Sequence, residues 1–197
     1  MDIDIEITGT TPLICNRFTD SAAQSATNGT RSALAGADKG SPHDQAEQKL
    51  YTASDGATLI IPSPNIFSCI IAAGTFHKAG RVKITTQKSS LIPACVSIHE
   101  IEIPLISKQG WSVDTRAVRI PSTGGRILAH RPIFNDWNLR FTVDLDTEFM
   151  SENLFRAIVD DAGKRIGLGD FRPACKGPFG KFVVTHWTTD VPLSEAA

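Results

Sequence analysis

Two segments of this chain combine helical periodicity with marked starts, and strand-like alternation surrounds them. That order limits the fold more than any other feature. The first, SPNIFSCIIAAGTFHKAG, has Ser63 as its expected cap and Pro64 in its first turn. It places Ile66, Ile70 and Ala73 on one side and is expected to stop at Gly80. The second, SENLFRAIVDDAG, has Ser151 as cap, Leu154, Phe155, Ile158 and Val159 as its apolar face, and Gly163 as its expected end. Ahead of the first helix, Ile3, Ile5 and Ile7 alternate with acidic and polar residues, the period of a half-buried strand. SPHDQAEQKLY reads as a short capped helix, and DGATLIIP as a turn and strand. Between the two main helices, ACVSIHEIEIPL alternates as one strand. A long hairpin, about residues 111–133 with STGG at its tip, and a core strand follow it. GKFVVTHW closes the set. Strand, helix, strand, then strand, helix, strand, with a hairpin inserted before the second helix, predicts an α+β fold. It is a ferredoxin-like (modified RRM) antiparallel sheet with two helices on one face.

A length of 197 residues suits a single RRM-like domain spanning 1–197. Residues 19–42, mostly Ser, Ala, Gly, Asn and Thr without periodicity, read as a long mobile loop. With 41% hydrophobic residues the composition is that of a globular protein and excludes general disorder. The net charge of −1 means that attraction for a polyanion has to come from local clustering. The apolar runs are too short to span a bilayer, and MDIDIEITGT is acidic and strand-like, unlike a basic-flanked leader. Cys15, Cys69, Cys95 and Cys175 form no CxxC pair, so no metal and no cofactor are expected, and the expected location is cytoplasmic.

The segment RIGLGDFRPACKGPFGKF, residues 165–182, is the first place to look for chemistry. It is no Walker loop, because Gly180-Lys181 is followed by Phe182, and no dinucleotide fingerprint, because Arg172 stands where the third glycine belongs. It also runs from helix to strand, whereas both those motifs run from strand to helix. What remains is a glycine-rich loop with Lys164, Arg165, Arg172, Lys176 and Lys181 against one acid, Asp170. Backbone amides around Gly167 and Gly169, with these cations, suit a phosphate backbone. A solvated structural loop in which Asp170 pairs with Arg172 is the alternative. The hairpin carries Arg116, Arg119, Arg126, Arg131 and, next to it, Arg140 against Asp114 and Asp136, with His130 beside Arg131. Arg116 and Arg119, three apart, point to opposite faces of a strand, as in a clamp. A charged edge ribbon that avoids aggregation is the competing reading. His43 is the one histidine placed to act as a general base, without an evident partner, while His77 and His99 lie inside regular elements. No nucleophile motif or clustered carboxylate pair accompanies them, so catalysis is not expected.

IEITGTTPL, WSVDTRAVRI, RPIFNDWNLRF and GKRIGLGDFRPACKGPFGKF together resemble, in order, the RAMP superfamily of CRISPR-associated proteins. They look closest to compact, stand-alone relatives of the backbone subunit that coats guide RNA, a form also encoded by phages and other mobile elements. The most specific element is apolar-Gly-x-Gly, an interval, then Gly-x-x-Gly and an aromatic, here Ile166 to Phe182. Residues 19–42 match no part of the pattern. The resemblance implies a loop that contacts RNA after the last helix, and a thumb-like hairpin, residues 112–131, that wedges between bases. It implies single-stranded RNA, or less readily DNA, as partner, with self-association along the strand or docking to CRISPR-type subunits, and no membrane. Two alternatives also follow from it: an RNA-processing endoribonuclease using His43, and a phage factor that mimics a CRISPR subunit and binds a host complex.

Overall fold

A computed structural model describes residues 1–18, 40–119 and 124–189. The first half forms β1 (Asp2–Gly9), β2 (Leu13–Ile14), α1 (Pro42–Glu47), β3 (Ile60–Pro62), α2 (Ser63–Ala73), β4 (Lys78–Ala79) and β5 (Val82–Lys83). The second half forms α3 (Ile92–Cys95), β6 (Val96–Ile98), β7 (Glu102–Pro104), β8 (Ser112–Arg119), β9 (Arg126–Phe134), β10 (Asn138–Leu145), α4 (Glu152–Asp161) and β11 (Phe182–Thr189). The expected loop at 19–42 lies outside the described residues except for 40–42, where α1 begins. No helix among the described residues is long and apolar enough to cross a membrane.

The main sheet has the order β11-β1-β10-β6, every pair antiparallel. With α2 and α4 the sequence of elements is β-α-β-β-α-β, consistent with a ferredoxin-like arrangement. Its cause is the alternation in β1. Ile3, Ile5 and Ile7 are fully buried and join Leu139, Phe141 and Val143 of β10 in one core. The apolar stripes of α2 (Ile66, Ile70) and α4 (Phe155, Ile158, Val159) pack into that same core.

The opposite side of β1 is acidic, with Asp2, Asp4 and Glu6, and β10 answers with Arg140, whose Nε donates to both Asp4 oxygens at 3.0 Å. That hydrogen bond, outweighing burial, holds the Asp4 carboxyl below the ordinary range. A carboxylate depressed in the fold contributes stability that is full above its unfolded-state value and is lost as pH falls through its folded value. Asp4→Asn is therefore expected to lower the melting temperature at neutral pH and to flatten its decline in acid. Melts taken from neutral pH to about pH 2 check this.

Several element ends differ from expectation, each for a tertiary reason. Pro62, not Ser63, caps α2, with no side-chain cap bond, and the helix stops at Ala73. A 3₁₀ turn, Gly74–Phe76, follows, because Gly74 packs against Ile84 and Thr85. The stretch expected as its last turn is instead the small β4–β5 pair. ACVSIHEIEIPL is not one strand. β6 leaves β10 where the Glu100 carboxylate accepts the Thr142 N–H, and β7 pairs with β3 instead. Gly163 does not end α4, which widens into a π-helical turn, Ala162–Ile166, and closes at Gly167, where φ is +75°. Lys164 and Arg165 thus belong to a helix end.

Candidate nucleic-acid interface

The inserted hairpin is β8 and β9, in register from Ser112↔Ile133 to Arg119↔Arg126. Its base is fixed by an ionic cluster with a buried centre. Arg131, 5% exposed, donates to Asp114 at 3.2 Å and to Asp170 of the glycine-rich loop at 2.7 Å. Asp114, 8% exposed, also accepts from Arg116 Nε at 2.6 Å, and the Arg116 guanidinium lies 4.6 Å over the Phe179 ring. On the other face, Lys49 Nζ donates to the His130 carbonyl at 2.7 Å, and the His130 ring is bonded to Thr115 at 2.8 Å. Arg131 and Arg116 therefore join the hairpin to the loop, and His130 fixes the hairpin's outer face.

Towards the tip the character changes. Arg119 and Arg126 stand directly opposite each other, and neither pairs with a carboxylate among the described residues. Like charges in that position repel. Beside them Ile127 is exposed and Leu128 is 64% exposed, so the outer hairpin pairs cations with bare apolar side chains.

The glycine-rich loop is bound to the β1–β2 connection. Asp170 N donates to the Ile14 carbonyl at 2.7 Å and Gly180 N to the Pro12 carbonyl at 2.8 Å, while Leu168 N donates to Gly180 at 2.9 Å. Gly169 allows a close approach, since a Cβ there would strike the Ile14 carbonyl. Gly167 N donates to Ala162. The amides expected to cradle a phosphate around Gly167 are thus largely committed within the protein, which leaves the side chains. Lys164 and Lys181 line one shallow depression with Thr10. Arg165 pairs with Asp161 at 2.7 Å, and Lys176 is exposed at a left-handed turn. Arg172 donates to the Gly169 carbonyl at 2.9 Å, not to Asp170, which Arg131 and Asn16 occupy. Arg172 also lines a groove of about 380 Å³ between α2 and the loop, with Asn16, Tyr51, Asn65 and Ser68. Burial pushes the thiols of Cys15 and Cys69 in that groove up to about 12, so neither is a nucleophile near neutral pH.

The uncovered face of the main sheet is not the platform expected of an RRM. It presents Asp2, Asp4, Glu6 and Asp144 with Arg140 paired to Asp4, and β1 and β10 have no aromatic side chain on that face. His43 stacks on Trp111, ring centroids 4.8 Å apart. Its ligand atom lies within 4.8 Å of those of Asp44 and Glu47, but all three are exposed and Asp44 is committed to the Ser41 cap. His77 pairs with Asp161 at 3.0 Å. No catalytic constellation is identifiable among the described residues. Sequence reasoning missed Asn16, Lys49 and Phe179, which contact Asp170, the His130 carbonyl and Arg116 and carry no local signal.

No protein-family model matches the chain, and no curated protein does. Among solved structures it is similar to a chain of the cryo-EM structure of the Type III-B Cmr-beta bound to cognate target RNA. The TM-score is 0.53 at 12% sequence identity, over 95% of this chain and 59% of that one. The chain thus spans about three fifths of the length of that relative. At that identity the likeness is one of fold.

Proposed function

We propose that this chain is a non-catalytic protein that binds single-stranded nucleic acid, in the manner of a CRISPR backbone subunit, on a single modified RRM-like domain. The strand runs along the outer hairpin and the cationic side of the glycine-rich loop. The observation that carries the reading is the Arg119–Arg126 pair beside exposed Leu128. Two exposed cations facing each other with no carboxylate partner among the described residues gain from an anion bound between them, and a bare aliphatic side chain next to them suits a wedge against bases. Lys164, Lys181, Lys176 and Arg172 are the loop's contacts, through their side chains. Arg116, Arg131, His130 and the glycines Gly167 and Gly169 support them. RNA is the expected strand, because the similar chain sits in an assembly bound to cognate target RNA. Side-by-side assembly along the strand, or docking with CRISPR-type subunits, belongs to the same reading.

Phosphate contacts make the affinity salt-dependent, with a slope of about −0.7 per phosphate for single strands. Arg119→Ala/Arg126→Ala is expected to weaken binding of an oligouridylate and to make the slope shallower by about 1.4. Fluorescence anisotropy over a salt series reads both. A wild-type protein with no affinity for RNA or single-stranded DNA at low salt overturns the proposal, and tight binding to CRISPR subunits in that case points to the mimic.

A further inference from the structure

The β4–β5 pair carries a cluster of cations that belongs to neither the hairpin nor the glycine-rich loop. Lys78 and Lys83 face each other directly across it, and Arg81 sits in the turn between them, all three exposed. None of them has a carboxylate partner among the described residues. The nearby acid on α4, Asp161, is already held by His77 at 3.0 Å and Arg165 at 2.7 Å. Two large apolar side chains stand bare in the same place, Phe76 at 52% and Val82 at 60% exposure. The Arg165 guanidinium lies 5.3 Å over the Phe76 ring. Arg165 and its neighbour Lys164 belong to the π-helical turn that leads into the glycine-rich loop, so the cluster is continuous with the loop's cations.

The small pair repeats the device of the outer hairpin: like charges directly opposed, an exposed apolar neighbour and no carboxylate partner among the described residues. An anion bound between the charges relieves that repulsion. An acidic peptide would answer the charge and leave the Phe76 ring unused. A nucleic-acid strand answers both, because phosphates recur along it and each base offers a face to stack. We infer that Phe76 and the β4–β5 turn form a second contact for the same single strand. Lys78, Arg81 and Lys83 take phosphates there, and Phe76 takes a base. The inference rests on the nucleic-acid reading above and extends the strand's path past the loop to the far end of α2.

The test compares four versions of the 197-residue chain on an oligouridylate over a salt series: wild type, Arg119→Ala/Arg126→Ala, Lys78→Ala/Arg81→Ala/Lys83→Ala, and Phe76→Ala. The triple variant is expected to make the salt slope shallower by about 2, for three phosphates. Phe76→Ala is expected to weaken binding while leaving the slope in place, since stacking releases no counterions. Circular dichroism melts check that these surface variants stay folded. If the hairpin variant behaves as proposed while the triple variant and Phe76→Ala bind like wild type, the second contact does not exist and the first reading stands. A triple variant that keeps RNA affinity but loses affinity for polyglutamate also overturns it, in favour of an acidic protein. If wild type binds no RNA, both readings fall together.

Discussion

Arg131→Ala is expected to destabilise the protein by about 3 kcal/mol, near the lower end of the cost of breaking a buried ion pair, because Asp114 is buried while Asp170 is 31% exposed. Among the described residues Arg131 alone bridges Asp114 and Asp170, at 3.2 and 2.7 Å. Without it Asp114 keeps Arg116, which is half exposed, while Asp170 keeps the neutral amide of Asn16. The cluster itself is not an efficient source of stability, because Arg131 Nε is buried without a hydrogen-bond partner. Two different results therefore separate pairing from packing. Arg131→Ala alone should lower the urea midpoint strongly at an unchanged slope. Asp114→Asn/Arg131→Met/Asp170→Asn, which removes the three bridged charges, nearly keeps the volume and leaves only half-exposed Arg116, should recover much of the loss. A change below about 1 kcal/mol for Arg131→Ala would mean that the carboxylates are solvated and the hairpin base is not held as described. Hydrogen exchange adds a local readout, with β8 and β9 losing protection first in the single variant.

The sheet and both main helices were legible because their cause is local. Ile3, Ile5 and Ile7 alternate, and the stripe Leu154, Phe155, Ile158, Val159 repeats at helical spacing, whatever lies around them. The hairpin was legible for the same reason, and the three-residue offset of Arg116 and Arg119 correctly separates their faces. Arg116 turns to Asp114 and Phe179, while Arg119 opposes Arg126. What was not legible depends on residues distant in sequence. Asp170 lies two residues from Arg172, yet its partner is Arg131, because the loop is pinned to Pro12 and Ile14 and turns Arg172 towards Gly169. The end of α4 depends on Phe182, whose carbonyl lies where a Cβ of Gly163 would be. The β4–β5 cluster was hidden in HKAGRVK, because apolar spacing carried the helix reading through to Gly80. A basic turn and a helix tail share that composition, and only the packing of Gly74 on Thr85 decides between them.

Gly180→Ala is expected to disrupt the loop far more than an ordinary glycine replacement. Gly180 has φ +70°, a conformation that costs a side-chain-bearing residue on the order of 1 kcal/mol or more. To this is added a collision: a Cβ at that position would run into the Leu168 carbonyl, backbone that cannot swing away as a flexible side chain would. The same residue joins two parts of the loop, accepting from Leu168 N at 2.9 Å and donating to Pro12 at 2.8 Å. Gly56 supplies the control, since its φ is +71° and an added Cβ meets nothing within 4 Å. Gly56→Ala thus carries the backbone cost alone, and the difference between the two variants isolates the packing of the loop. We expect Gly180→Ala to be less stable than Gly56→Ala by about 1–3 kcal/mol, the usual cost of forcing atoms into a filled site. Because Phe179 adjoins Gly180 and underlies Arg116, the variant should also weaken oligouridylate binding at temperatures where it remains folded. Gly56→Ala should bind like wild type. Equal stabilities and equal affinities for the two variants would show that the loop tolerates a shift at Gly180, and that its glycines answer only to φ.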